Sequence, residues 1–315
     1  MTKIRRSGAP GRRSSAAGRV GAVLLLASAG SLAGGGRVAD EARVARGPAV
    51  VAHRGGAMLR PENTMPAFRH AAGLGVEVLE FDMLMTADGR IAVYHDADIN
   101  AGFCTPEPGS GVAAGPVRGL RLDQTRRFDC GSGVRPAYAG EKHVAVPGAR
   151  IPTLDEVLDG FRDSGAIFFA ETKFPRPTPG VAEVDPVEFA ARLEAAVRER
   201  GLEDRLILQS FDYRTLDALH DLNPRIRTCL LGAGKLNGEY LAAIRRHRAS
   251  CIVLGLEDGD RDAVRRLQDA GVLVYSGVAD TQEEWARYVG LGVDAIFTND
   301  PEGAIAYLRR AGLRD

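Results

Sequence analysis

The chain has 315 residues, with 41 Lys+Arg balanced by 41 Asp+Glu, and 45% hydrophobic and 26% charged positions. That apolar content excludes a disordered chain, and the charge balance excludes nucleic-acid binding through bulk positive charge. Glycine, at 38 residues, is in excess of the usual ~7% and fits a fold with many tight strand-to-helix turns.

The chain begins with a basic stretch containing Lys3, Arg5, Arg6, Arg12, Arg13 and Arg19 and no acid. An apolar run from Val20 to Ala29 follows, ending in the small-residue triplet Ala27-Ser28-Ala29. This pattern predicts a secretory signal peptide, with residues 1–47 as leader and linker and 48–315 as the folded domain. The run falls short of the ~20 apolar residues a spanning helix needs, so no stable membrane anchor is expected. Cleavage near Ala29 would remove six basic residues and leave a mature chain of about −6, secreted to the extracellular space or periplasm. Outside the cytosol disulfides persist, and Cys104 and Cys130, in one Gly/Pro-rich segment, are placed to staple it. Cys229 and Cys251 lie in apolar strand-like runs and are expected to be buried thiols.

From Pro48 onward short apolar runs alternate with amphipathic segments. The predicted strands are 49–53, 76–82, 91–95, 166–171, 206–210, 228–231, 251–255, 272–276 and 295–298; the helical stretches include 63–73, 186–200, 213–221, 237–247, 261–270 and 281–290. Such alternation implies βα units and a parallel sheet. The second and third runs are too close for a crossover helix, and Asp88-Gly89 is a hairpin dipeptide. The third run is therefore an antiparallel return strand, and eight parallel strands remain. Their spacing suits an α/β (β/α)8 TIM barrel of ~250 residues better than a doubly wound open sheet. A two-residue loop at Asp88-Gly89 would pair Ala87 with Arg90 and set Asp82 opposite His95, on the face shared by Glu80. Residues 97–150, with nine glycines, break the alternation and form a loop-rich insertion after the hairpin, placed to cover the barrel mouth.

In such a barrel the active site lies at the carboxyl ends of the strands. Those ends carry His53 and Arg54, then Glu80 and Asp82, then Glu171 and Lys173, with His95 arriving from the return strand. Three carboxylates without cysteine ligands suit a hard cation such as Ca2+ or Mg2+. A divalent ion beside Arg54 and Lys173 makes an anion-binding centre fit for a phosphate. Two histidines at the same rim suit paired proton transfer near neutrality.

The motifs VAHRGG (51–56), PENT (61–64), EFD (80–82), TADGR (86–90), HD (95–96), ETK (171–173), QSF (209–211) and FTNDPE (297–302) resemble, in order, those of the glycerophosphodiester phosphodiesterases. The resemblance runs from Val50 to the end of the chain. It implies a TIM-like barrel with an insertion after HD, and metal-dependent hydrolysis of a small glycerophosphodiester to sn-glycerol 3-phosphate and an alcohol. Glu80, Asp82 and Glu171 then become the metal ligands, His53 and His95 the acid–base pair, and Arg54 and Lys173 the phosphate holders. His53 would activate the glycerol 2-hydroxyl or a water while His95 protonates the departing alkoxide. Asn63 or Thr64 of PENT is expected to cap the following helix, with Glu62 a weaker candidate for the metal shell. His143 is expected on the surface, and His70, His220 and His247 are unremarkable helix residues.

One segment departs from the family. Many members carry a WTVN-like stretch on a late strand; here it reads YSGVAD (275–280), so Tyr275 or Ser276 replaces the tryptophan and Ala279 the asparagine. The sole tryptophan, Trp285, is expected to pack in the next helix. The alternatives are a lysophospholipase D or sphingomyelinase D-like lipid phosphodiesterase and a secreted, non-catalytic binder of a phosphate ligand. The intact histidine pair argues against the binder.

Overall fold

A computed structural model describes residues 47–174 and 179–315. Residues 1–46, where the leader is expected, lie outside the described residues. The strands are β1 (Ala49–Ala52), β2 (Val78–Met85), β3 (Ile91–Val93), β4 (Thr105–Pro106), β5 (Phe128–Asp129), β6 (Ile167–Thr172), β7 (Leu206–Ser210), β8 (Arg227–Leu230), β9 (Cys251–Leu254), β10 (Leu273–Val278) and β11 (Ala295–Thr298). In the main sheet β1 pairs with both β11 and β2, and β6 to β11 follow in sequence, so eight parallel strands close on themselves. The ninth strand of that sheet, β3, runs antiparallel on β2 and stands off the barrel. The architecture is the (β/α)8 barrel that the alternation implies.

Each barrel strand leads to a helix that covers it. These are α1 (Met65–Gly73), α3 (Leu154–Phe161), α4 (Pro186–Arg198), α5 (Tyr213–Leu222), α6 (Tyr240–His247), α7 (Arg261–Asp269), α8 (Gln282–Leu291) and α9 (Pro301–Arg310), while the short α2 (Leu122–Thr125) belongs to the insertion. Their starts follow from local chemistry. Thr153 and Thr281 form capping boxes with Glu156 and Glu284, and Asp185, Asp212, Asp260 and Asp300 cap α4, α5, α7 and α9. Thr64 caps α1 by accepting from Ala67 N, as PENT suggests. Among the described residues no helix is long and apolar enough to cross a membrane.

Alternation along the strands builds two apolar layers. Leu79, Phe81 and Met83 of β2 face the helices in the larger core, while Val78 faces inward. The interior floor comprises Val51, Val78, Phe169, Ile207, Cys229, Cys251, Tyr275, Ala295 and Phe297. Phe169 stacks on Tyr275 at 4.7 Å between ring centroids, with Phe297 edge-on at 5.4 Å. Tyr275 is thus a floor residue, and Ser276 Oγ accepts from Phe297 N at 2.9 Å, so both are committed to packing. Trp285 packs as expected, its Nε1 donating to Ala279 O at 2.7 Å. Cys229 and Cys251 are free, buried register partners in the floor.

The hairpin differs from expectation by one residue. The pairs are Met85 with Ile91, Leu84 with Ala92 and Met83 with Val93, so the loop holds three residues, Ala87, Asp88 and Gly89. Thr86 is the cause: its hydroxyl donates to Asp88 Oδ1 at 2.6 Å and accepts from Arg90 N at 3.1 Å, while Gly89 takes φ +70°. Tyr94, not His95, therefore sits opposite Asp82, and Tyr94 N donates to Asp82 O at 3.0 Å.

The insertion carries its own core of Ile99, Phe103, Cys104, Val117, Phe128 and Cys130, packed on Leu84, Ala92 and Tyr94 of the hairpin. Cys104 and Cys130 form a disulfide. Helix α3, which follows the insertion, was hidden by its brevity although Thr153 and Glu156 carry a capping-box signature.

Candidate active site

The charged layer sits one or two inward positions above the floor on the same strands. Val78 is followed by Glu80 and Asp82, Phe169 by Glu171, and Ile207 by Gln209, a step of two each time. Glu80 and Asp82 are fully buried and Glu171 nearly so; oxygens of all three lie within 4.8 Å of one another.

Each carboxylate is held from a different direction. Glu80 Oε2 accepts from Arg54 N at 2.7 Å and Oε1 from Gln209 Nε2 at 2.8 Å. Asp82 is clamped by Asn63, whose Nδ2 donates to Oδ2 at 2.8 Å and whose Oδ1 accepts from Asp82 N at 3.2 Å. Arg54 Nε lies 3.4 Å from Asp82 Oδ2. Lys173 Nζ bridges Asp82 Oδ1 at 3.1 Å and Glu171 Oε1 at 2.6 Å. Burial and the neighbouring Asp82 charge push the Glu80 carboxyl well up. Burial also works to raise Asp82, but Lys173 and Arg54 overcome it and hold Asp82 low. Three carboxylates crowd against two cations in a buried space, which is what pushes Glu80 up, and oxygen donors alone suit a hard divalent ion.

Arg54 and Asn63 adopt left-handed φ of 53° and 55°, a conformation L-residues other than glycine seldom hold. The backbone between them is tied by Asn63 N donating to Arg54 O at 2.9 Å. The glycines of VAHRGG make this turn possible. Gly56 has φ +88°, and a Cβ there would lie 2.9 Å from Pro301 Cγ.

The two histidines are held by opposite kinds of partner. His53 Nδ1 lies 2.8 Å from Asn299 Oδ1, and Asn299 Nδ2 donates to Asp280 Oδ2 at 2.8 Å, which fixes the amide orientation. Burial and the Arg54 charge lower the His53 imidazole to about 3, so it is neutral with Nε2 free to accept. His95 Nδ1 lies 2.7 Å from Asp96 Oδ1. β3 stops at Val93 and the chain then bends, which returns His95 to the mouth despite the shifted register. There it lines a cleft of about 460 Å³ with Glu171, Lys173, Phe174, Phe211 and Tyr213.

Sequence reasoning named seven site residues, and the structure brings all of them to this rim. Glu62 does not join the carboxylate cluster: it is buried between Arg54 Nη1 at 3.1 Å and Arg135 Nε at 2.8 Å. His143 is half-buried in the insertion, not exposed. The supporting residues Asn63, Asp96, Gln209 and Asn299 lie inside the quoted motifs, but only their contacts reveal what they hold. Asp280 ends the quoted YSGVAD stretch without being singled out there, and Arg135 carries no sequence signal of its own.

A model of the glycerophosphoryl diester phosphodiesterase family matches residues 53–303. A glycerophosphodiester phosphodiesterase of Caldanaerobacter subterraneus is 29% identical over 270 residues, covering 84% of this chain and 98% of that protein. One from Bacillus subtilis is 28% identical over 261 residues, covering 80% of this chain and 83% of its own length. A crystal structure of an Oleispira antarctica phosphodiesterase in complex with the product sn-glycerol-3-phosphate superposes with a TM-score of 0.68 at 21% identity, over 85% of this chain and 99% of that one. The family match opens at His53 and closes beyond Asp300, enclosing every side chain of the rim, and this chain belongs to the glycerophosphoryl diester phosphodiesterase family as an enzyme of that type.

Proposed function

We propose that this enzyme hydrolyses glycerophosphodiesters to sn-glycerol 3-phosphate and an alcohol, with His53 as base and His95 as acid at a single divalent-cation site. The differing partners of the two histidines carry the assignment. The Asn299 amide oxygen accepts from His53 Nδ1–H, so the ring, kept neutral by burial and the Arg54 charge, turns a free Nε2 toward the proton of the glycerol 2-hydroxyl or of a water. A carboxylate on His95 Nδ1 orients that ring so that its other nitrogen hands a proton to the leaving alkoxide. Arg54 and Lys173 hold the phosphoryl oxygens, a contribution of a few kcal/mol per well-placed group, about 2.7–4 kcal/mol for a single donor.

Glu80, Asp82 and Glu171 would hold the cation, Ca2+ or Mg2+, which supplies Lewis-acid stabilisation of phosphoryl charge when bound. His53→Ala and His95→Ala are expected to abolish glycerophosphocholine turnover while binding survives. Near-normal kcat in either variant would end the assignment. Chelation should inactivate the enzyme, with Ca2+ or Mg2+ restoring it.

A lysophospholipid is the second candidate substrate, favoured by the apolar wall of Phe174 and the 57%-exposed Phe211 beside His95. Comparing glycerophosphocholine with lysophosphatidylcholine separates the two. Residues 1–47 are proposed as an export leader and linker, which the Cys104–Cys130 disulfide supports. N-terminal sequencing of secreted protein tests this, and an unprocessed Met1 or Thr2 would refute it.

A further inference from the structure

One side chain of the insertion is built into both halves of the site. Arg135 donates through Nε to Glu62 Oε2 at 2.8 Å, and through Nη2 to Glu62 Oε1 and Asp96 Oδ2, each at 2.9 Å. Glu62 is buried and shared with Arg54, while Asp96 holds His95. A continuous chain thus runs Arg54–Glu62–Arg135–Asp96–His95. A planar guanidinium with several donors can span two carboxylates in this way, whereas an ammonium is a point charge.

Arg135 is itself positioned by the insertion core. Its guanidinium lies 4.8 Å from the centroid of the buried Phe103 ring. A Cβ on Gly133 would lie 2.7 Å from Phe103 Cα, so the two segments press directly on each other. The Cys104–Cys130 disulfide joins the same two segments, one residue beyond Phe103 and five before Arg135. Asn100 Nδ2 is the other side-chain donor to Asp96 Oδ2, at 3.1 Å.

We propose that Arg135 is a positioning residue for proton delivery, locking Asp96 against His95 and tying that acid, through Glu62, to the phosphate-side Arg54. This rests on His95 being the general acid, and the experiment separates failure of one from failure of the other. Glycerophosphocholine expels an alkoxide that needs a proton; the para-nitrophenyl ester of glycerol phosphate expels a phenolate that leaves without one. His95→Ala should cripple the choline ester and spare the nitrophenyl ester; equal loss on both refutes the acid assignment itself.

If His95→Ala separates the esters, Arg135→Gln is expected to lower kcat on the choline ester by on the order of 10-fold and on the nitrophenyl ester by less than about 3-fold. In the Asp96→Asn background it should add no further loss, because both act through one ring. Equal loss on both esters, a change confined to KM, an additive double variant, or no loss overturns the proposal. Arg135→Lys keeps the charge should the glutamine variant fail to fold, and it is expected to show the same separation because a single ammonium lacks the paired donors that grip both Glu62 oxygens while also holding Asp96.

Discussion

The floor and the mouth of the barrel are built from the same strands, two residues apart, yet they are opposite in character. On β6, Phe169 lies in an apolar stack while Glu171 lies among charges; on β2, Val78 gives way to Glu80 and Asp82. The floor gains free energy from burial and aromatic packing, and it has no group able to move a proton among its own members apart from two buried thiols and Tyr275. The mouth concentrates like charges at a cost and recovers it through Asn63, Gln209, Arg54 and Lys173. Stability and chemistry are thus separated by about 6–7 Å along each strand. The side of the barrel that does not serve the site, β8 and β9, continues apolar upward through Leu231 and the partly buried Val253.

The largest expected effect tests the mouth. Glu80→Gln keeps the shape and the acceptor for Arg54 N but removes a charge that burial disfavours. Activity should fall by about 100-fold or more, while the thermal midpoint of metal-free protein holds or rises. A large drop in that midpoint with activity retained would reverse the roles of the two layers. The complementary change is Phe169→Ala in the floor, expected to cost about 3–5 kcal/mol in urea unfolding with specific activity per folded molecule nearly unchanged.

The insertion offers an intermediate test. Replacing both Cys104 and Cys130 with serine should cost about 2–4 kcal/mol. Hydrogen exchange should rise around Phe103, Phe128 and Arg135 while the amides of the floor strands stay protected; equal loss of protection in both would make the insertion part of the barrel's own stability.

The smallest effect is a pH dependence. Burial works to raise the Asp96 carboxyl, but hydrogen bonds from His95, Asn100 and Arg135 outweigh it and hold it below its ordinary value. Below the usual carboxylate range near ~4 the unfolded chain therefore binds the proton that native Asp96 refuses, and stability falls as pH falls. His53, lowered to about 3, acts in the same direction between ~6.5 and that value. Thermal melts from neutral pH into acid should show a shallower decline for Asp96→Asn than for the wild type.

Much of the fold was legible because its signals are local. Period-two apolar runs located the nine strands of the main sheet, and residues just past or within their carboxyl ends supplied His53, Arg54, Glu80, Asp82, Glu171 and Lys173. The hairpin register was missed by one because Thr86 and Asp88 close the loop through side chains, which a dipeptide rule ignores. The two residues that stand where many family members carry tryptophan are committed to packing. Tyr275 lies in the floor, paired in register with Ala295, and Ser276 Oγ accepts from Phe297 N.

The sequence by itself determined which side chains gather at the barrel mouth, since strand periodicity and the position of each strand end are written within a few residues. Tertiary structure alone decided how those side chains are held. Asn299 reaches His53 across 246 positions, Gln209 reaches Glu80 across 129, and Arg135 reaches Glu62 across 73. A hydrogen bond depends on distance and direction in space, and no local pattern encodes either for residues so far apart along the chain.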